Sequence, residues 1–381
     1  MAIATYSGLI LAMTAVFLCA VPFALKMAAT RDFVAYYSAG RQLVSHADPY
    51  DAAAVYRIEH SSGFMVDGVL VMRNPPWTLP LAFPLGFFEI RVAAVFWTLA
   101  LLACFLVPIH LVRKLHGSPS NYVHWLGLSF APALICLTMG QTSLFVLLGL
   151  TLFLYYNQAH PFAAGASLWL CSVKPHLLFP FAAVLLAWIL FTRSYKILAG
   201  AAVTMAVSCA LTLWIDPVAF HRYMELMRSP GVVQEFVPCL SDTFRFAINQ
   251  RLVWLQYLPA CIASAWALWF FWKRRHTWSW VENSALLILV SLVAAPYSFV
   301  YDQSVAIPAV LHGAYRTRKR LLLFLVVCML GTIELETIWV RISTLYYVWT
   351  APAWLLWYLI ASTSANERVA EDQHLPAVSS V

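Results

Sequence analysis

Charge is scarce in this chain: Asp, Glu, Lys and Arg make up 11% of its 381 residues, and 62% are apolar. A soluble domain typically carries about 25% charged residues, so a soluble globule is excluded. The eight cysteines stand singly with no C-x-x-C pair, which argues against both a disulfide framework and a zinc site. Walker, dinucleotide-binding and H-E-x-x-H patterns are missing, as is any D-x-D pair that would hold a divalent metal. Acids are missing from four short connectors that together hold eleven of the 24 basic residues: Arg113-Lys114, Arg193 to Lys196, Lys273-Arg274-Arg275 and Arg316 to Arg320. Cations gathered in short connectors are the positive-inside signal. The net charge of +7 therefore reflects membrane orientation and not nucleic-acid binding.

What is present is an all-α polytopic membrane protein. At about 20 apolar residues per span, the chain has room for about 10–13 transmembrane helices. Leu9 to Leu25 reads as the first helix, because it has no basic region before it and no small-residue cleavage site after it. Further apolar runs fall at about 122–139, 141–157, 161–173, 175–192, 196–215, 251–272, 283–296, 303–315, 320–340 and 345–362. Several are short for a span and read as kinked or tilted helices. Placing the four basic connectors in the cytoplasm puts 28–76, Gly140-Gln141, Lys174-Pro175-His176, 216–250 and 295–303 on the outer side. The stretch 76–112 conflicts with this: Pro84, Gly86 and Glu89-Ile90-Arg91 suggest two segments, whereas the side assignment needs an odd number of crossings. A re-entrant segment would reconcile the two, and the parity stays open. Residues 1–361 form a single transmembrane domain, with 28–76 and 216–250 as its two external loops, and 362–381 is expected to be a disordered cytoplasmic tail.

Acids beside lipid are costly and mark candidate functional sites. Asp32 directly follows the first span. It fits the N-cap of an interfacial helix from Phe33 to Leu43, or a general base that takes a proton from an attacking hydroxyl; the two are compatible. Lys174 is the only Lys or Arg between Lys114 and Arg193. It fits a snorkelling side chain or a point charge for a phosphate at the membrane surface, with His176 beside it. Tyr301-Asp302-Gln303 interrupts an apolar stretch, either as a helix cap or as a carboxylate for substrate hydroxyls. Glu235 and Arg245 are candidates for the same cavity wall. Tyr50 and Trp77 are candidates to stack on a sugar face.

In order along the chain, Asp32-Phe33, Tyr36-Tyr37, Ala39-Gly40-Arg41, Asp48-Pro49-Tyr50-Asp51, Asn74-Pro75-Pro76, Pro84-Leu85, Gly140-Gln141, Lys174-Pro175-His176, Ala295-Pro296-Tyr297 and Tyr301-Asp302 resemble glycosyltransferase family 87, over about 30–315. The resemblance implies a GT-C-like helical bundle with interfacial helices in the first external loop. It implies hexosyl transfer, most simply of mannose, from a polyprenyl-phosphate donor to a lipid or glycan acceptor, with inversion. Catalysis would fall on Asp32, donor phosphate on Lys174, Arg73 and His176, and substrate contacts on Asp302, Tyr301, Gln141, Asn74, Tyr50 and Glu235. No cofactor or metal is expected, the partners beyond substrates are membrane lipids, and the site would lie on the outer, periplasmic face of a bacterial inner membrane. Relatives carry a histidine near Pro296 to Asp302, where this chain has Tyr297, Tyr301 and Asp302. A transporter or flippase is the rival reading. It would show inverted repeats and a midplane site, and no matching halves are seen.

Overall fold

The computed structural model describes residues 32–63, 68–317 and 319–374; the first predicted helix, 9–25, lies outside them. Among the described residues there are seventeen α-helices and no strand. In chain order they are α1 Phe33–Val44, α2 Ala52–Ser61, α3 Leu79–Ala82, α4 Ile90–Leu115, α5 Ala131–Met139, α6 Ser143–Tyr156, α7 Pro161–Cys171, α8 Phe179–Thr192 and α9 Tyr195–Ile215. There follow α10 Ala219–Met227, α11 Pro230–Val233, α12 Leu240–Ile248, α13 Leu258–Arg274, α14 Trp280–Val293, α15 Ile307–Arg316, α16 Arg320–Trp339 and α17 Thr350–His374.

Among the described residues, five stretches are long and apolar enough to cross a membrane: Ile90–Leu115, Pro175–Thr192, Tyr195–Ile215, Val253–Arg274 and Arg320–Trp339. Val123–Met139, Ser143–Tyr156, Pro161–Cys171 and Trp280–Val293 are apolar but shorter. The chain is a multi-pass membrane protein. Proline marks the entries: Pro132, Pro161, Pro180, Pro259 and Pro308 stand in the first two positions of their helices, where the missing N–H leaves no hydrogen bond unmade.

Between residues 76 and 115 one long helix, α4, follows a shorter helical segment. Pro76 to Phe87 forms two 3-10 turns around the four-residue α3, packed against α1. Of the two segments, only α4 is long and apolar enough to cross a membrane. Gly40 and Gly86 make that packing possible. A Cβ on Gly40 would stand 2.3 Å from the Ala82 carbonyl oxygen, and one on Gly86 2.1 Å from the Gly40 oxygen, so the two backbones touch where only glycine fits. Arg41 ties the contact by donating to the Gly86 carbonyl at 2.9 Å.

Helix α17 runs from Thr350 to His374, and 362–374 holds neither Gly nor Pro, the residues that most disfavour a helix interior.

In the first polar loop, Asp51 caps α2 by accepting from the Ala53 and Ala54 N–H groups at 2.9 and 3.4 Å. Glu59, buried on α2, accepts from the Leu70 N–H with both oxygens, at 3.1 and 3.3 Å, and so pins the returning strand of the loop. Burial pushes its carboxyl up to about 7, against the Leu70 hydrogen bond, which pulls it down. A raised folded-state value means a contribution fully present below the unfolded value of 4.5 and lost as pH rises through about 7. Glu59→Gln cannot ionise and is expected to match the parent at about pH 4, below the unfolded value. At pH 8.5 it should be more stable by about 1–3 kcal/mol, read as a higher Tm in detergent. Equal Tm values at both pH values would remove this account.

Candidate active site

Three breaks between helices build the site against the start of α1. Helix α5 ends at Gly140, whose φ is 74°, and a Cβ there would stand 2.7 Å from that of Phe33. Only glycine lets the α5–α6 turn lie against the residue that follows Asp32. Trp97 of α4 locks the turn, donating to the Gly140 carbonyl at 2.7 Å and stacking on Tyr36 at 5.2 Å. Helix α7 stops ahead of Lys174-Pro175, since a residue before proline is pushed out of the helical region; Lys174 takes φ −136° and ψ 73°. After α14, Pro296 opens the segment leading to the 3-10 turn Val300–Ala306.

The side chain of Asp32 makes no capping bond to α1. Its Oδ2 accepts instead from Gln141 Nε2 at 2.6 Å. Gln141 is the hub. Its Oε1 accepts from Tyr36 Oη and from Lys174 Nζ, both at 3.0 Å, and Nε2 also reaches Tyr301 Oη at 3.4 Å. Lys174 Nζ donates to Asp302 Oδ1 at 2.6 Å and lies 4.8 Å from the centre of the Tyr301 ring. Asp302 divides its oxygens: Oδ1 takes Lys174 and the Ser143 hydroxyl, while Oδ2 accepts the Phe299 N–H at 2.9 Å. It therefore caps the 3-10 turn with one oxygen and neutralises a cation with the other. Asp302 is 2% exposed and Asp32 only half-buried. Of the two acids, Asp32 is the more exposed.

Asn74 closes the floor, donating to Val173 O at 3.0 Å and Thr142 Oγ1 at 3.2 Å. Arg73 is ion-paired with Glu235; burial lowers its guanidinium, opposed by Tyr301 and Asp32, whose charges it feels. Tyr223 of α10 donates to the Arg73 carbonyl at 3.4 Å and meets Tyr50 ring to ring at 5.9 Å. Arg222 joins the same seam, bonded to Asp216 at 2.9 Å and 3.6 Å from Asp48. The first and second polar loops are thereby tied together beside the network.

Residues 73–296 match the family model of glycosyltransferase family 87. The chain belongs to glycosyltransferase family 87. No curated protein and no solved structure matches it. The matched segment of this family 87 glycosyltransferase is narrower than the resemblance read along the sequence. It contains Arg73, Asn74, Gln141, Lys174, His176 and Glu235; Asp32, Tyr50, Tyr301 and Asp302 lie outside it and join through the contacts above.

The structure thus gathers Asp32, Gln141, Lys174, Tyr301 and Asp302 in one network, with Asn74 beneath and the Arg73–Glu235 pair at the edge. Tyr50 stands apart in the seam under α10, and its hydroxyl has no hydrogen-bond partner among the described residues. His176 stacks on Tyr297 with ring centres 3.7 Å apart. Trp77 donates to Ser172 at 3.0 Å, which ties 76–78 to the end of α7. Arg245 is buried in α12 and donates to the Gln256 side chain at 2.8 Å and the Gln250 carbonyl at 2.9 Å; it supports the loop that carries Glu235. Sequence reading missed Thr142 and Ser143, although both directly follow Gln141 in an apolar run, and it missed the Arg222 clamp. Among the described residues no group of three or more His, Cys, Asp or Glu is arranged to hold a metal ion.

Proposed function

We propose that this glycosyltransferase moves a sugar, most simply mannose, from a polyprenyl-phosphate donor to a lipid or glycan acceptor at the outer face of the cell membrane, with inversion. The observation that carries the proposal is the continuous hydrogen-bonded path Asp32–Gln141–Lys174–Asp302, which joins an accessible carboxylate to a buried cation. An inverting transfer needs one group of each kind. The acceptor oxygen forms a bond to the anomeric carbon as its proton passes to Asp32. The bond from that carbon to the phosphate oxygen breaks, and its electron pair leaves with polyprenyl phosphate, whose charge faces Lys174 and Arg73. Two of the three Lys174 protons are engaged by Gln141 and Asp302, and the third is the donor available to phosphate. With these cations present, the reaction as written calls for no metal. The basic connectors favour the outer face for this site, and the polar loops 28–76 and 216–250 are its walls within a single GT-C-like unit.

The test is reconstitution. Purified protein in proteoliposomes, given radiolabelled polyprenyl-phosphate mannose and membrane lipid extract, is expected to transfer label and release polyprenyl phosphate at the same rate with and without chelator. Transport of the intact donor without cleavage would support a flippase instead. Activity abolished by chelator and restored by a divalent ion would remove the metal-free mechanism.

A further inference from the structure

At the end of α8 remote from Lys174, the surface holds a groove of about 350 Å³ lined by Ala187 and Phe191 of α8 and Leu268, Trp269, Phe271 and Trp272 of α13. That volume falls within the range of about 300–1,000 Å³ usual for small-molecule sites, but the lining is wholly apolar. Trp269 and Trp272 are 57% and 58% exposed, so the groove opens outward, to the hydrocarbon of the bilayer.

Its polar end is different. Phe191 packs edge-on against Phe271 and His276, at 6.2 and 5.4 Å, which brings the close of α8 and the close of α13 side by side. Arg193 follows the first; Lys273, Arg274 and Arg275 end the second. Arg275 lies 4.1 Å over the Trp272 ring and donates to the Trp272 carbonyl at 2.6 Å, so its charge is held at the mouth of the groove. Among the described residues none of these four cations is paired with a carboxylate; Glu282, the acid of the next helix, is taken by Arg316.

Arg193 adds a backbone observation. It ends α8 at φ 56°, a left-handed position that costs a non-glycine residue roughly 1–2 kcal/mol and that glycine fills without strain. An arginine retained there at a cost in strain points to a use for its charge. The positive-inside asymmetry explains why cations are on this face. It does not explain why Arg275 is held against a tryptophan that lines an apolar groove, or why Arg193 occupies a strained cap.

We propose that this groove binds an anionic glycerophospholipid of the bilayer. An acyl chain lies along Phe191, Leu268, Trp269 and Trp272, and the headgroup phosphate is held by Arg193, Lys273 and Arg275. Basic pockets between transmembrane helices on the cytoplasmic side recognise anionic headgroups in this way. The site is at the other end of α8 from the sugar-transfer network, so its occupant is not the reacting donor.

Native mass spectrometry of the delipidated protein, titrated with phosphatidylglycerol or phosphatidylethanolamine of the same acyl chains, tests this. Phosphatidylglycerol is expected to bind about 10-fold more tightly, and the preference should vanish in the pair Arg193→Gly with Arg275→Gln. Glycine relaxes the strained cap, so loss of charge is separated from loss of fold. Lys319→Gln with Arg320→Gln, in another basic connector, should keep the preference. Equal affinity for the two lipids in the parent, a preference surviving Arg193→Gly with Arg275→Gln, or equal loss in the control pair would each overturn the proposal.

Discussion

Replacing Asp32 by Asn is expected to leave a folded protein that binds donor and turns over about 100-fold more slowly or worse, the usual scale for a positioned proton acceptor. The fold should survive for two reasons. Asp32 makes no capping bond to α1, so no helix-terminal hydrogen bond is lost. Its contact with Gln141 Nε2 at 2.6 Å can be kept by the Asn oxygen, which accepts as a carboxylate oxygen does. What Asn lacks is basicity. Donor binding measured beside turnover separates the outcomes, because a general base acts on the chemical step and not on ground-state binding. Turnover within a few-fold of the parent would end the assignment of Asp32 as base.

Lys174→Met is expected to lower both stability and donor affinity, and a second substitution should separate the two. Viewed in the sequence, Lys174 stands alone, and its loss would be expected to weaken donor binding far more than folding. The ion pair changes that expectation: Asp302 is 2% exposed, and removing a cation 2.6 Å away strands a buried carboxylate, at a cost of about 3–5 kcal/mol. The pair Lys174→Met with Asp302→Asn removes both charges and should recover most of the Tm. If Lys174 also holds donor phosphate, this refolded double variant should still bind donor about 10- to 100-fold more weakly, as loss of a charge-assisted contact worth about 1.5–3 kcal/mol implies. Parent-like donor affinity in the double variant would reduce Lys174 to a counter-ion of Asp302.

Much of the helical layout was legible in the sequence because apolar run length and proline position are local. Each of the ten runs from 122 onward has a helix in it, and the boundaries fall near Gly140, Pro175 and Pro296, residues whose backbone chemistry forces a break. The stretch 76–112 was harder to read, because Pro84 and Gly86 look like the end of a span. Gly86 is instead where a backbone rests on Gly40, and a contact across 46 positions leaves no periodic trace. Of the candidate site, the acids and Lys174 were visible as polar residues in apolar surroundings. Their partners were not. Gln141 as the bridge between Asp32 and Lys174, Ser143 on Asp302, and the Arg73–Glu235 pair all join residues distant in the chain, which hydropathy and spacing cannot pair.

Helix α6 has 14 residues and is therefore roughly 21 Å long, against a hydrocarbon layer of about 30 Å. Tyr155 and Tyr156 at its far end suit the aromatic level of one bilayer edge, which leaves its first turn about 9 Å short of the other. Lipid does not meet that shortfall, because α6 is buried on nearly all sides. Gln141, two residues ahead of the helix, is therefore covered by protein and not by lipid, at 8% exposure. Under the proposed transfer, a lipid-borne phosphate at the headgroup level and an acceptor from the water must both reach inward, past protein groups, to meet the network around Gln141.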